Sequence, residues 1–226
     1  MCGRFALTAP SSGLPALGVD HALELKPRYN IAPSQPVAAL VQGPHGRALT
    51  MLRWGLIPSW ARDPKIGFRM FNARSETAHS KPSFRVAFKK RRALILADGF
   101  YEWKRIDKKT KIPHLITAID NQVFAMAGLW EEWTHPSTGE VVRSCTVMTT
   151  EGNALMKPIH DRMPVIVPPS QWEAWLDTEG HDPSALQHLL RPAPAAQLKA
   201  RPVSRFVNNA RHEGPDCWSP YDEETS

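Results

Sequence analysis

The sequence lacks any long apolar segment. No run of about 18 consecutive apolar residues occurs in the 226 residues, and about this length is needed before a membrane-spanning helix is predicted. The N-terminus also lacks the basic stretch followed by an apolar stretch that marks a secretory signal peptide. From these two absences we expect a protein without a membrane partner that works inside the cell, in the cytoplasm.

Cysteine is scarce and histidine is scattered. The three cysteines, at positions 2, 145 and 217, are odd in number and include no C-x-x-C pair. This argues against a disulfide framework and against a structural zinc site. The nine histidines do not show the spacing of metal ligands. We therefore expect no bound metal ion and no other cofactor.

The chain is long enough for one large domain or two small ones, and 42% of its residues are hydrophobic. Strand-like runs dominate, and helical signals do not alternate regularly with them. The pattern predicts an α+β fold around an antiparallel or mixed sheet, with a closed barrel as one arrangement. The turn residues Asp120 and Asn121 predict a hairpin. The strand-like runs are VAALV (37–41), LTMLRW (49–54), ALILA (93–97), HLITAI (114–119), VFAMAGLW (123–130), VVRSCTVMT (141–149) and PVIV (164–167).

Positive charge is concentrated in one segment. Between Lys81 and Lys111 the sequence has eleven Lys and Arg against three acidic residues, a net charge of +8, whereas the whole chain carries +6. A local basic patch is typical of a surface that binds nucleic acid. The alternative is a solvated helix face, which would account for the run KKRR at 89–92.

A cysteine follows the initiator methionine in the opening sequence MCGRF. If Met1 is removed, Cys2 becomes the first residue and carries a thiol together with an α-amine of pKa about 7.7–8.0. No other position of a chain offers these two nucleophiles on one residue. The alternative is an incidental cysteine at a frayed chain end.

The stretch WGLIPSW (54–60) places Trp54 and Trp60 around a glycine and a proline, with Arg53 and Arg62 just outside. Aromatic rings beside arginines are typical of surfaces that bind single-stranded nucleic acid, because every base has a face on which a ring can stack. The alternative for each tryptophan is the hydrophobic core, although a loop with a proline is a poor place for two core tryptophans.

Asn72 and Arg74 stand in FNARSETA (71–78), where an irregular segment is predicted to enter a helix. Asn72 either caps that helix or orients a substrate with its amide. Arg74 has the planar, two-pronged head group that suits a phosphate.

Two titratable residues complete the set of candidates. Glu102 is a lone carboxylate between Tyr101 and Trp103 in the most basic segment. Burial among aromatic rings raises a carboxyl pKa and nearby cations lower it, so Glu102 is a candidate general acid/base or else a salt-bridge partner on a strand face. His160 in IHDRMP (159–164) titrates near neutrality without help, and its alternative is a structural role.

The order of these motifs closely resembles that of the SOS response-associated peptidase (SRAP) family, also called abasic-site processing proteins. The resemblance spans nearly the whole chain. It implies a single α+β domain over residues 2–209 with a mixed, barrel-like core and short helices, followed by a partly disordered C-terminal tail over 210–226. The motifs are MCGRF, RYNIAP (28–33), WGLIPSW (54–60), NARSET (72–77), ADGFYEWK (97–104), IHDRMPV (159–165) and PVSRFVN (202–208).

The resemblance also implies a function. Family members bind single-stranded DNA and capture abasic sites through the N-terminal cysteine, first as a Schiff base and then as a thiazolidine ring. By this resemblance Cys2 is the nucleophile, Glu102 is the acid/base, and Asn72 and His160 assist. The implied partner is single-stranded DNA with abasic sites, bound by a cytoplasmic monomer, or a nucleoid-associated one if the source is bacterial. The residues implied to line the DNA groove are Arg4, Trp54, Trp60, Arg74, Arg85 and Arg162.

Two alternatives remain open at this point. A thiol-dependent peptidase would use the same Cys2 nucleophile, although self-processing would release only Met1. A non-enzymatic single-stranded DNA-binding module needs the basic groove but gains nothing from a cysteine at position 2.

Overall fold

The structure is a computed structural model that describes residues 2–9, 25–43, 46–180 and 183–222. No helix within these residues is long and apolar enough to cross a membrane. The strands are β1 (Phe5–Leu7), β2 (Arg28–Ile31), β3 (Pro36–Gly43), β4 (Gly46–Trp54), β5 (Asn72–Arg74), β6 (Arg92–Ala97), β7 (Gly99–Arg105), β8 (Lys111–Ala118), β9 (Phe124–Thr134), β10 (Val141–Glu151), β11 (Arg162–Pro164), β12 (Ile166–Val167) and β13 (Leu198–Pro202). The α-helices are α1 (Ser75–Ala78), α2 (Arg85–Lys90) and α3 (Trp172–Leu176). The 3-10 helices are Pro64–Arg69, Pro169–Gln171, Pro183–Leu189, Ala195–Gln197, Arg205–Asn208 and Pro215–Trp218.

Five strands close into a barrel. β3 pairs with β4 and β6, β6 pairs with β9, β9 pairs with β10, and β10 returns to β4. The β10–β4 pairing is parallel and the other four are antiparallel, so the sheet is mixed. β6 is buried along its whole length, because one face lines the barrel and the other is covered. The predicted fold class, a single α+β domain with a mixed, barrel-like core and short helices, is confirmed.

A second, antiparallel sheet has the order β13-β8-β7-β1-β2. In this sheet Phe5 of β1 lies opposite Phe100 of β7, and both rings are fully buried. The ring of Phe5 also packs edge-on against Trp54 at the end of β4, with ring centroids 4.9 Å apart. The start of the chain is therefore fixed between the second sheet and the barrel.

The hairpin expected at Asp120 and Asn121 is wrong. The chain does turn here, and Asn121 adopts a left-handed conformation with φ of 59°. However, β8 before the turn pairs with β7 and β13, whereas β9 after it pairs with β6, β10 and β12. The two strands belong to different sheets, so the turn passes the chain from the second sheet to the barrel.

Arg92 is buried, although the run KKRR predicts either a binding patch or a solvated helix face. Its side chain is fully buried and donates to the main-chain carbonyls of Phe88 (3.0 Å), Trp175 (2.5 Å) and Asp177. These carbonyls lie near the C-terminal ends of α2 and α3, where helices leave acceptors unsatisfied. Arg92 therefore joins two helix ends and adds nothing to the surface charge.

The C-terminal segment packs against β2. The buried amide of Asn30 donates to the carbonyls of Asn209 (3.0 Å) and His212 (2.8 Å), and Arg28 pairs with Glu213 at 2.9 Å. Cys217 is fully buried. The chain therefore contributes to the core beyond residue 210, where the predicted tail begins. The predicted bounds of the domain, 2–209, stay a prediction. The last four residues of the predicted disordered tail lie outside the described residues.

Candidate active site

The candidate site lies where the second sheet meets the barrel. Arg4 continues the pairing of β1 with β7, because the main-chain N–H of Tyr101 donates to its carbonyl over 2.9 Å. This register brings Cys2 close enough to Glu102 for the carboxylate charge to act on the thiol. From the barrel side, β5 brings Asn72 to Cys2 and the loop before β11 brings His160 to Glu102. Four segments that are distant in sequence thus place the four predicted catalytic residues together.

Cys2 is fully buried, with its Sγ 4.0 Å from the carbonyl oxygen of Arg4. Burial raises the pKa of the Cys2 thiol well above its ordinary range, and the negative charge of Glu102 raises it further. The thiol is therefore protonated at neutral pH. A reaction that uses this sulfur as a nucleophile needs a base to take its proton.

Asn72 holds the main chain of Cys2. Its Nδ2 donates to the carbonyl oxygen of Cys2 over 2.7 Å. Its Oδ1 is buried and has no hydrogen-bond partner within the described part of the chain. The residue at the N-cap of α1 is Arg74, and its side chain makes no capping hydrogen bond. Asn72 is therefore not a helix cap, and its amide faces the candidate nucleophile.

Glu102 is a buried carboxyl group with only 3% of its surface exposed. Burial raises its pKa to about 7, and the charge of Asp161 acts in the same direction. A group that titrates near the working pH can both give and take a proton efficiently.

His160 faces Glu102, with Nε2 4.0 Å from Oε2 of the carboxylate. Its Nδ1 accepts the main-chain N–H of Arg162 over 2.9 Å and also lies 2.9 Å from Oδ1 of Asp161. Nδ1 cannot both accept the N–H of Arg162 and donate to the carboxylate of Asp161, because accepting needs an unprotonated nitrogen and donating needs a protonated one. Burial lowers the pKa of His160, so the neutral ring is favoured, with Nδ1 as acceptor and the proton on Nε2. That proton is on the nitrogen nearer Glu102.

Trp54 and Trp60 have opposite environments. Trp54 is fully buried, and its Nε1 donates to the carbonyl of Phe71 over 2.8 Å. Gly55 follows with φ of 123°, a conformation that side chains rarely adopt, and turns the chain away. Trp60 is 59% exposed at the end of the same motif. The expectation that Trp54 stacks on bases is therefore wrong, because a core ring has no free face.

The predicted DNA-contacting arginines differ in their surroundings. Arg74 at the end of β5 and Arg85 at the start of α2 are exposed. Arg4 is partly buried: its Nη1 donates to Oδ1 of Asn30 (2.6 Å) and to the carbonyl of Val207 (2.8 Å). Burial lowers the pKa of Arg4. Arg4 therefore ties the N-terminal strand to the C-terminal segment, and its contact with DNA stays a prediction.

Arg162 is held by a carboxylate that the sequence reasoning missed. Its Nη1 and Nη2 lie 2.5 and 3.0 Å from the two carboxylate oxygens of Glu76, and Nη2 also donates to the carbonyl of Thr149 over 2.6 Å. The hydrogen bonds from Arg162 are the first cause of a lowered pKa at Glu76. Glu76 stands in the NARSET motif, but no spacing in the sequence connects it with a residue 86 positions later.

Within the described residues, no group of three or more His, Cys, Asp or Glu side chains is arranged to hold a metal ion. The chemistry available at the site is that of a thiol, a carboxyl group, an imidazole and an amide.

Comparison with known proteins gives one consistent result. The family model described as "SOS response associated peptidase (SRAP)" matches residues 1–210. Abasic site processing protein YoqW of Bacillus subtilis (strain 168) is 44% identical over an alignment of 220 positions that covers 96% of this chain and 98% of that protein. Abasic site processing protein HMCES of Xenopus tropicalis is 34% identical over an alignment of 226 positions that covers 86% of this chain and 66% of that protein. A crystal structure of a protein from Bacteroides thetaiotaomicron has a TM-score of 0.87 and 25% identity, and covers 97% of this chain and 99% of that chain.

Proposed function

The chain belongs to the SOS response associated peptidase (SRAP) family, as its motifs predict, and we propose that it binds single-stranded DNA and crosslinks to abasic sites through Cys2 after removal of Met1. One observation carries the proposal: Asn72 fixes the main chain of Cys2 beside the buried carboxyl group of Glu102. The relatives named abasic site processing proteins support the choice of substrate. The crosslink would shield the lesion during the DNA damage response.

The first bond forms between the α-amine of Cys2 and the aldehyde carbon C1′ of the ring-opened abasic sugar. The amine attacks C1′ and gives a carbinolamine, which loses its hydroxyl as water and becomes a Schiff base. Glu102 in its carboxylate form takes a proton from the amine and, once protonated, gives it to the departing hydroxyl. The Oδ1 atom of Asn72 would accept a hydrogen bond from the same amine: it is buried without a partner among the described residues, and Nδ2 of this amide holds the Cys2 carbonyl.

The second bond forms between Sγ of Cys2 and the same C1′ atom. The thiol loses its proton, sulfur attacks the iminium carbon, and the nitrogen takes the released electron pair, which gives a five-membered thiazolidine. Because the thiol pKa is raised, this step needs a base, and Glu102 is the neighbouring group that can act as one. The ring closure is intramolecular and gains the advantage of proximity. It also removes the imine, which water would otherwise hydrolyse.

His160 has a supporting role in this scheme. With a proton on Nε2, the neutral ring can donate to an oxygen placed between it and Glu102, as the ring oxygen of the closed sugar would be when it opens. Arg74, Arg85 and Arg162 would bind backbone phosphates, and Trp60 would stack on a base.

The peptidase alternative has less support from the geometry. Cysteine peptidases use a thiol whose pKa is depressed by a neighbouring cation, whereas the Cys2 thiol is buried and its pKa is raised. A non-enzymatic DNA-binding module would not explain why a carboxyl group with a pKa of about 7 faces the N-terminal cysteine.

The test is intact-mass analysis of the purified protein before and after mixing with an oligonucleotide that carries one abasic site. We expect the free protein to lack Met1, and the adduct to have the mass of this protein plus the oligonucleotide minus one water. Active protein that retains Met1, or that carries an acetylated Cys2, would contradict the mechanism.

The matched control is Cys2→Ser, which keeps the amine and loses the sulfur. We expect this variant to bind single-stranded DNA and to form no stable adduct. Loss of peptide cleavage would instead support the peptidase, and unchanged behaviour in every assay would support the binding module.

A further inference from the structure

The guanidinium group of Arg162 is already occupied by a carboxylate. Glu76 receives one hydrogen bond from each Nη atom, at 2.5 and 3.0 Å, in a two-pronged arrangement. Arginine binds a phosphate with the same parallel pair of donors. Glu76 therefore stands where a DNA phosphate would bind if Arg162 belongs to the DNA groove.

The supporting strands hold the two residues on one surface. Arg162 begins β11 and Glu76 follows β5, and both strands pair with β10, where Thr149 is the register partner of Arg74. The third hydrogen bond of Arg162, to the carbonyl of Thr149, fixes its head group to that central strand. This main-chain contact is independent of the carboxylate, so it would still hold Arg162 if Glu76 left.

The two partners differ in exposure. The side chain of Arg162 is 14% exposed, whereas that of Glu76 is 51% exposed. Glu76 lies in the first turn of the short helix α1, at the surface, so its side chain can turn into solvent at little cost. The arrangement is that of a fixed cation with an exchangeable anion.

We propose that Glu76 is a competing carboxylate, which fills the phosphate-binding fork of Arg162 in the DNA-free protein and is displaced by a backbone phosphate when DNA binds. This inference rests on the proposed function and concerns the control of the same site. The charge of Arg162 is paired before and after the exchange. Arg162 therefore adds no affinity for a strand whose phosphate does not replace Glu76 at the guanidinium group. Glu76 thereby weakens general attraction to polyanions and favours strands that are seated in the groove.

The exchange also reaches the candidate catalytic residues. The main-chain N–H of Arg162 donates to Nδ1 of His160. Arg162 therefore has two parts in the site: its guanidinium exchanges Glu76 for a phosphate, and its main-chain N–H sets the tautomer of His160. Binding of the DNA strand and orientation of the imidazole thus depend on the same segment.

The experiment measures the affinity of wild type, Glu76→Gln, Arg162→Gln and the double variant for an undamaged thymidine oligonucleotide over a series of salt concentrations. We expect Glu76→Gln to bind about two- to fivefold more tightly, the range set by the worth of an exposed ion pair. Its salt dependence should steepen by up to about 0.7 slope units, because an unneutralised Arg162 then contributes a full phosphate contact. Both effects should disappear in the Arg162→Gln background.

Glu173→Gln is the control for the change in net charge. Glu173 pairs with Arg47 at 3.7 Å in an exposed contact outside the candidate site, and its replacement should alter the affinity less than that of Glu76. Glu76→Ala is the second variant and should behave like Glu76→Gln, with folding checked by thermal unfolding.

Three results would overturn the inference. Unchanged or weaker DNA binding by Glu76→Gln would make Glu76 a positioning partner of Arg162. An equal change in affinity in Glu173→Gln, or a gain in affinity that persists in the Arg162→Gln background, would also overturn it. Failure of the proposed function is seen separately, because it would appear in the wild type as absence of oligonucleotide binding or of an abasic-site adduct.

Discussion

The side-chain amide of Asn72 donates a 2.7 Å hydrogen bond to the main-chain carbonyl of Cys2, across 70 positions of sequence. This contact attaches the start of the chain to β5 of the barrel assembly. It also determines where an N-terminal amine would lie, since the amine and the carbonyl belong to the same residue.

Replacing Asn72 by alanine should slow crosslinking more than it weakens DNA binding. The variant loses the bond that places Cys2, and a misplaced reacting group costs about 100-fold in rate for a displacement of about 1 Å. We expect a loss of about 10- to 100-fold in the rate of adduct formation on an abasic-site oligonucleotide, measured on denaturing gels. Affinity for undamaged single-stranded DNA should stay within twofold to threefold, or about 0.5 kcal/mol. Equal losses in both assays would instead indicate a general structural defect.

Replacing Glu102 by glutamine should remove proton transfer and keep the shape of the site. We expect crosslinking to slow by about 10²–10⁴-fold, the usual contribution of a general acid/base, with normal DNA affinity. In the wild type the rate should rise with pH up to about 7, where Glu102 becomes the carboxylate. The Glu102→Gln variant should lack this limb of the pH profile. A variant that crosslinks at the normal rate would make Glu102 a structural residue.

The same substitution should change how stability depends on pH. Glu102 has a pKa raised from 4.5 to about 7 in the folded protein, so folding favours its neutral form. Relative to Glu102→Gln, the wild type should be most stable below pH about 4.5 and should lose stability as the pH rises to about 7. The full difference is about 3 kcal/mol, at about 1.4 kcal/mol per pKa unit. Urea unfolding of both proteins at several pH values measures it, and parallel pH curves would contradict the raised pKa.

Two tryptophan substitutions should have opposite effects. Trp54→Ala removes a fully buried ring and should lower the free energy of unfolding by about 3–5 kcal/mol. Trp60→Ala removes a ring that is 59% exposed and should change stability by at most about 0.5 kcal/mol. Trp60→Ala should instead weaken binding of single-stranded DNA by about 1–3 kcal/mol, the worth of stacking on one base. Normal DNA binding by folded Trp60→Ala would place the stacking surface elsewhere.

Neutralising Arg74 should flatten the salt dependence of DNA binding. Arg74 is exposed at the end of β5, next to the candidate site. We expect Arg74→Gln to reduce the slope of log affinity against log salt by up to about 0.7 units, as for one lost phosphate contact on a single strand. Arg47→Gln is the control, since Arg47 pairs with Glu173 outside the candidate site. An unchanged slope for Arg74→Gln would exclude this arginine from the groove.

Local sequence was sufficient for much of the architecture. The runs at 37–41, 49–54 and 93–97 all lie within barrel strands. Those at 37–41 and 93–97 are continuous apolar segments and are buried throughout, as expected for strands that are covered on both faces. The ordered motifs identified the family, and with it four side chains of complementary chemistry. These conclusions depend on the amino-acid composition and on the order of the motifs along the chain, and both can be taken directly from the sequence.

Other features were decided by contacts between distant segments. Trp54 and Trp60 belong to one motif, yet the partners that bury Trp54 come from β1 and from residue 71. Arg92 reads as one more surface cation, but the two helix ends that it joins meet only after folding. Asp120 and Asn121 do mark a turn, while the pairing of the strands on either side depends on sheets assembled elsewhere.

The sequence by itself determined which reactive side chains the protein contains: a cysteine directly after the initiator methionine, a lone carboxylate among aromatic residues, an imidazole and a set of arginines. Tertiary structure decided their states. The pKa of Glu102 is raised because the fold buries it, and Arg162 is occupied because the fold brings Glu76 within hydrogen-bonding distance. Burial and charge pairing are sums over neighbours in space, and most of these neighbours are far apart in the chain.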